Sequence, residues 1–148
     1  MKVTLAAESD FDLPREIKLV FLALMSVVLL FMLIMVSVTV RARVKAFNKD
    51  FMKQFNDLHK EAFGLDQAPG AGYPDCGNGY YGKRLSYQAW LDMNIGQRAQ
   101  INYLEHITYV LVSGFVGGLS HPRFASTFLF VNVVGRTVYT VAYASKGP

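Results

Sequence analysis

From Leu19 to Val40 the chain runs for 22 residues (LVFLALMSVVLLFMLIMVSVTV) without a charged side chain. As a helix rising about 1.5 Å per residue, that stretch is roughly 33 Å long, enough to cross a hydrocarbon core about 30 Å thick. It is too long for the apolar region of a secretory signal. The residues before it are acidic (Glu8, Asp10, Asp12) where a signal would be basic, and no small-residue cleavage site follows. The segment therefore reads as a retained transmembrane helix. A hydrophobic content of 52% over 148 residues, with a positive mean hydropathy, agrees, being too apolar for an ordinary soluble domain.

The rest of the chain is placed relative to that helix. Residues 1–15 read as a loosely ordered leader, with Pro14 near the helix start, where a missing N–H costs nothing. Residues 16–63 read as the first transmembrane helix plus an amphipathic extension, because Phe51, Phe55, Leu58 and Ala62 recur at helical spacing while Lys53, Asp57 and Lys60 face elsewhere. Residues 64–94 read as a loop, dense in Pro69, Gly70, Gly72, Pro74, Gly77, Gly79 and Gly82. A second transmembrane helix is expected over 95–119 and a third over 124–144. The turn between them is only Ser120 to Arg123, so the two form an antiparallel hairpin. Gly114 and Gly118 make a GxxxG pair, read as helix packing. The expectation is an all-α integral membrane protein, one membrane domain over 1–148 with three transmembrane helices. Eight Lys and Arg lie between Arg41 and Asn94, against three ahead of the apolar run (Lys2, Arg15 and Lys18) and one in the turn, which puts the long loop and the C-terminus on the cytoplasmic side.

Several function classes drop out. Cys76 is the single cysteine, so no intrachain disulfide forms, and no Cys/His cluster has metal-ligand spacing. The Gly-rich loop lacks the GxxxxGK[ST] pattern of a phosphate cradle. The net charge of +4 gathers just after the first span (Arg41, Arg43, Lys45, Lys49, Lys53), as a membrane flank does, so nucleic acid is not an expected partner while membrane lipid is. Trp90, just ahead of the second span, reads as a headgroup anchor.

The chemistry sits inside the spans. In Gln97-Arg98-Ala99-Gln100-Ile101-Asn102-Tyr103-Leu104-Glu105, the residues Arg98, Asn102 and Glu105 fall at i, i+4 and i+7, on one helix face. In the third span Arg136, Tyr139 and Tyr143 fall at i, i+3 and i+7. With antiparallel helices the two faces meet at one depth. A charge at mid-membrane costs roughly 2.5 to 3.5 kcal/mol, so these residues face the bundle interior for a reason. One reading is a structural Glu105–Arg136 ion pair helped by Asn102. The other starts from the excess of donors, Arg98, Arg136 and two phenols, which suits an anionic ligand that brings its own carboxylates. His106 reads as packing or a bundle hydrogen bond, His59 as solvent-facing, His121 as part of the turn, and Tyr103 and Tyr109 as lipid or helix contacts.

The QRAQINYLE stretch, and Gly135-Arg136-Thr137-Val138-Tyr139 followed by Tyr143, resemble the membrane-associated proteins of eicosanoid and glutathione metabolism, the MAPEG family. His121-Pro122-Arg123 looks like the microsomal glutathione transferase 3 type, and Gly72 to Tyr80 with Leu85-Ser86-Tyr87 look like a loop of some members, so the resemblance covers about residues 72–148. It implies a four-helix bundle assembled as a homotrimer, with glutathione, the co-substrate, bound between subunits at the cytoplasmic side. Arg98, Gln100, Asn102, Glu105, Arg136, Tyr139 and Tyr143 would line that site. Guanidinium forks suit glutathione's two carboxylates, and Glu105 its ammonium. In catalytic relatives an arginine shortly after the position of Tyr143, opening a fourth helix, holds the thiolate. Here the sequence reads Ser145-Lys146-Gly147-Pro148, so that arginine and that helix are missing from it, through a longer natural chain or through lost catalysis.

The function so implied is a membrane-bound glutathione-dependent transferase or peroxidase acting on lipophilic electrophiles, in the endoplasmic reticulum or a mitochondrial membrane. The alternative is a non-catalytic subunit of the same build, held among other hydrophobic subunits in a larger membrane complex.

Overall fold

The computed structural model describes residues 12–146, and the expected leader falls almost wholly outside them. Among the described residues there are helices and turns and no strand. Helix α1 (Arg15–Ile34) follows Pro14 and continues through a π-helical turn (Met35–Val40) into α2 (Arg41–Ala46). With no Gly or Pro in its interior, nothing in the apolar run interrupts the hydrogen-bond ladder. Inside the π turn Thr39 donates its hydroxyl to the buried carbonyl of Gly96 at 2.9 Å, tying this helix to the next long one.

The amphipathic extension expected out to residue 63 does not continue as one helix. The chain leaves helical geometry at Phe47 (φ −99°, ψ 53°) and restarts as α3 (Lys49–Lys53) and α4 (Asn56–Phe63). Asn48 caps α3 by accepting the Phe51 amide at 3.0 Å, and Gly64 ends α4 in the left-handed conformation (φ 70°). The bends fold the aromatic stripe inward. Phe47, Met52 and Phe55 are buried together against Met93, which a straight extension could not have reached.

Helix α5 (Tyr87–Ser120) begins earlier than the expected position 95. Ser86 caps it, accepting the Ala89 amide at 3.3 Å, so residues 87–94 are helix and the loop ends sooner. Only His121 separates α5 from α6 (Pro122–Lys146), a tighter hairpin than the expected Ser120 to Arg123 turn. Pro122 opens α6 with its missing N–H at a position that has no helical partner anyway.

By length and composition Arg15–Ala46 and Pro122–Ser145 can each cross a membrane. Helix α5 is as long but carries Arg98, Asn102, Glu105 and His106 in its interior and does not meet that test, so two candidate spans are shown where three were expected.

Two cores result, held by different forces. Along the spans, Val20, Ala23 and Val27 of α1 meet Tyr103 and Ile107 of α5 and Ala125 and Leu129 of α6. In lipid, where the tails are as apolar as the side chains, close packing of small residues holds such a seam. The second core, around Phe47, Phe55 and Met93, forms a lobe at the far end of α2, where burial from water contributes about 25 cal/mol per Å².

The GxxxG pair works on two neighbours. A Cβ on Gly114 would lie 2.7 Å from Leu129 Cδ2, the end of a flexible chain, whereas one on Gly118 would lie 2.6 Å from Cγ1 of the β-branched Val20. Gly118→Ala is therefore expected to destabilise the bundle by about 1–3 kcal/mol and Gly114→Ala by less. Thermal unfolding in detergent orders the two variants, and the reverse order would contradict this packing.

Candidate functional site

Helices α5 and α6 run antiparallel, which brings the polar residues of both to one depth near the lobe end of the bundle. There Asn102 Nδ2 donates to the Tyr139 hydroxyl at 2.9 Å, and the Tyr139 and Tyr143 rings stack at 5.8 Å with 16° between planes. The Arg136 guanidinium lies over two ring faces, 5.4 Å from the Tyr103 centroid and 5.8 Å from that of Tyr139. A cation held on ring faces is stabilised more strongly as water is excluded.

Tyr103 makes the helix contact expected of it, and its part in seating Arg136 is what the sequence reasoning missed. It is 1% exposed, its hydroxyl donates to the Val27 carbonyl at 2.9 Å, and its ring meets the edge of Phe31 at 5.8 Å. Helix α1 therefore fixes Tyr103, and Tyr103 seats Arg136. The signal was present in the recurrence of Met93, Gly96, Ala99, Tyr103 and Ile107 every three or four residues, a seam of α5 in which Tyr103 is one member.

The remaining expected residues are less gathered. Glu105 follows Tyr103 by two residues, about 200° round the helix, so it faces away from the ring that seats Arg136. The Glu105–Arg136 ion pair read as one possibility in the sequence does not form. Among the described residues no ion pair involves Arg98, Glu105 or Arg136, and Arg98 and Glu105 stand exposed on the outer face of α5. Gln100 is half-buried and, by the same geometry, lies across the seam from Asn102. His106 Nδ1 sits 3.0 Å from the Asn102 carbonyl of its own helix. His59, expected to face solvent, packs against Phe63 with ring centroids 4.9 Å apart and planes tilted by 42°, and is half-buried.

The Gly-rich loop is organised round one carboxylate. Asp75 Oδ1 accepts the amides of Gly77 (2.7 Å) and Gly79 (2.8 Å), and Oδ2 accepts that of Gly82 (2.7 Å). Burial alone would raise the Asp75 pKa, but the amides of Gly82, Gly77 and Gly79 outweigh it and hold the carboxyl below its ordinary range. Gly82 is required sterically, since a Cβ there would lie 2.5 Å from the Gly77 carbonyl oxygen. No group of His, Cys, Asp and Glu among the described residues could hold a metal ion.

A model of the MAPEG family matches residues 20–148. The chain belongs to that family, and membership together with the two apolar helices makes it a membrane protein. Members of the family generally use glutathione and are generally trimers. No curated protein and no solved structure matches the chain.

Proposed function

We propose that the chain is a membrane-bound glutathione-dependent transferase or peroxidase of the microsomal glutathione transferase 3 type, acting on lipophilic electrophiles. The observation that carries this reading is Arg136, seated on Tyr103 and Tyr139 beside the Asn102–Tyr139 hydrogen bond and paired with no carboxylate of its own chain among the described residues. A guanidinium so placed suits a ligand carboxylate. Arg98 offers a second fork, Glu105 an acceptor for the ammonium, and Tyr143 a further phenol.

The exposure of Arg98 and Glu105 supports a homotrimer. Charges facing lipid are costly, and a neighbouring copy covers that face. Gln100, on the other flank of α5, reaches the same ligand when a neighbouring copy presents it. Each copy's α5–α6 face, with α5 as the second span, then encloses one glutathione against the neighbouring copy. Its sulfur, as thiolate, adds to the electrophilic carbon of an activated double bond in a substrate arriving from the bilayer, so that a C–S bond forms as the π bond opens and the resulting carbanion takes a proton from water. Binding and orientation supply much of the rate. The endoplasmic reticulum and the mitochondrion both offer a fitting membrane.

The test is a glutathione titration of the protein in lipid nanodiscs, beside Glu105→Ala. Saturable binding that weakens in the variant supports the site, and no binding by the unaltered protein would end the proposal. A second reading, a structural subunit without catalysis, is favoured by the lobe's surface aromatics Tyr73 and Tyr87, 70% and 73% exposed, since partner subunits cover such residues. Copurification at fixed stoichiometry with unrelated hydrophobic subunits would favour it, and a free homotrimer would count against it.

A further inference from the structure

Between α4 and the loop around Asp75 lies a cleft of about 520 Å³ that the glutathione site does not use. Its walls are apolar: Phe55 at the base, Leu58 and Phe63 on one lip, Tyr80 and Tyr81 on the other. The volume falls within the roughly 300–1,000 Å³ of small-molecule sites. The lips are unusually bare for such side chains, with Leu58 48%, Phe63 70% and Tyr80 59% exposed. The one carboxylate in the lining, Asp75, has both oxygens occupied by loop amides, so it offers a ligand little.

Position and charge say what fills it. The helix Arg15–Ala46 is 32 residues long, about 48 Å, and overshoots a hydrocarbon core of about 30 Å. Its last turns, and the lobe that follows within a few residues, therefore stand at headgroup level. The last turns of that helix carry Arg41, Arg43 and Lys45 and no carboxylate, while the lobe from Phe47 to Arg84 balances five Lys and Arg against five Asp and Glu, so the positive surplus sits where the helix leaves the hydrocarbon. Beside the cleft the Arg84 guanidinium lies 5.9 Å over the ring of Tyr80, one of the lining residues, and neither Lys83 nor Arg84 forms an ion pair among the described residues. An apolar slot at headgroup depth with an unpaired guanidinium beside its Tyr80 lip matches an amphiphile with an anionic head.

We propose that this cleft binds one anionic phospholipid of the adjacent leaflet, an acyl chain lying against Phe55, Leu58 and Phe63 and the phosphate meeting Arg84. The interaction fixes the lobe against the membrane surface and selects lipid by charge.

Cys76 lines the cleft and is the chain's single cysteine, so the full protein can be labelled there with a small environment-sensitive fluorophore. Reconstituted in phosphatidylcholine vesicles containing brominated lipid, the label is expected to be quenched about fivefold more effectively by brominated phosphatidylglycerol than by brominated phosphatidylcholine, one cation's worth of attraction. Arg84→Gln should remove the preference and leave residual quenching. Because a label could itself fill the cleft, the contrast is repeated by tryptophan fluorescence in a Leu58→Trp, Trp90→Phe protein with Cys76 free. Equal quenching by the two lipids, or none in both proteins, overturns the proposal.

Discussion

Arg136→Ala is expected to weaken glutathione binding by roughly 10- to 100-fold, the range for losing a charge-assisted hydrogen bond in a site closed to water. The fold should survive, because the substitution takes a charge out of the bundle and breaks no ion pair. Tyr103 sharpens the test. Tyr103→Phe keeps the ring 5.4 Å beneath the guanidinium and loses only the hydroxyl bond to Val27, so it should cost about 0.5–1.5 kcal/mol of stability and leave affinity nearly unchanged. Tyr103→Leu removes the seat and should follow Arg136→Ala in affinity. Calorimetric titration of the three variants separates positioning from packing, and an Arg136→Ala protein that binds like the original would exclude this residue from the site.

The second large effect is expected at Asp75. Asp75→Ala strands the amides of Gly77, Gly79 and Gly82, each at about 1–3 kcal/mol when buried without a partner. The loss should stay in the lobe, whose core of Phe47, Phe55 and Met93 is separate from the seam of the spans. Hydrogen exchange should show amides 77–85 losing protection while those of α5 and α6 keep theirs, and trypsin should cut faster at Lys83 and Arg84. Acid does the same reversibly. With its folded pKa below the ordinary 3.8, the carboxylate contributes fully above that value, and its contribution drains away as the pH falls through the folded pKa. A lobe equally protected in Asp75→Ala would show that the aromatic core alone holds the loop.

What could be read beforehand depended on what repeats. The charge-free run and the helical spacing of Arg98, Asn102 and Glu105 are periodic, and periodicity survives without tertiary structure. The end of the loop was misplaced because Tyr87 to Asn94 spans barely two turns, so that Ala89, Trp90 and Met93 show too little of a stripe to mark a helix without the Ser86 cap. The breaks at Phe47 and Gln54 had no Gly or Pro to announce them. They arise because burying Phe47 and Phe55 on Met93 outweighs extending one helix. The seat of Arg136 was hidden for a related reason. Tyr103 falls outside the polar face and earns its place only through Val27 and Phe31, more than seventy residues earlier in the chain.

The π turn at Met35–Val40 makes the lobe's bearing a matter of one residue. Such a turn accommodates a surplus residue that a regular helix would have no room for. Deleting one residue there would let ordinary α-helical winding resume and swing everything downstream by about 100° round the helix axis. Arg43, Ala46 and Phe47 would then point to a different compass quarter, away from Gly72 and Met93. The segment acts like the set screw of a dial: a single codon in the middle of a helix sets where the whole lobe looks.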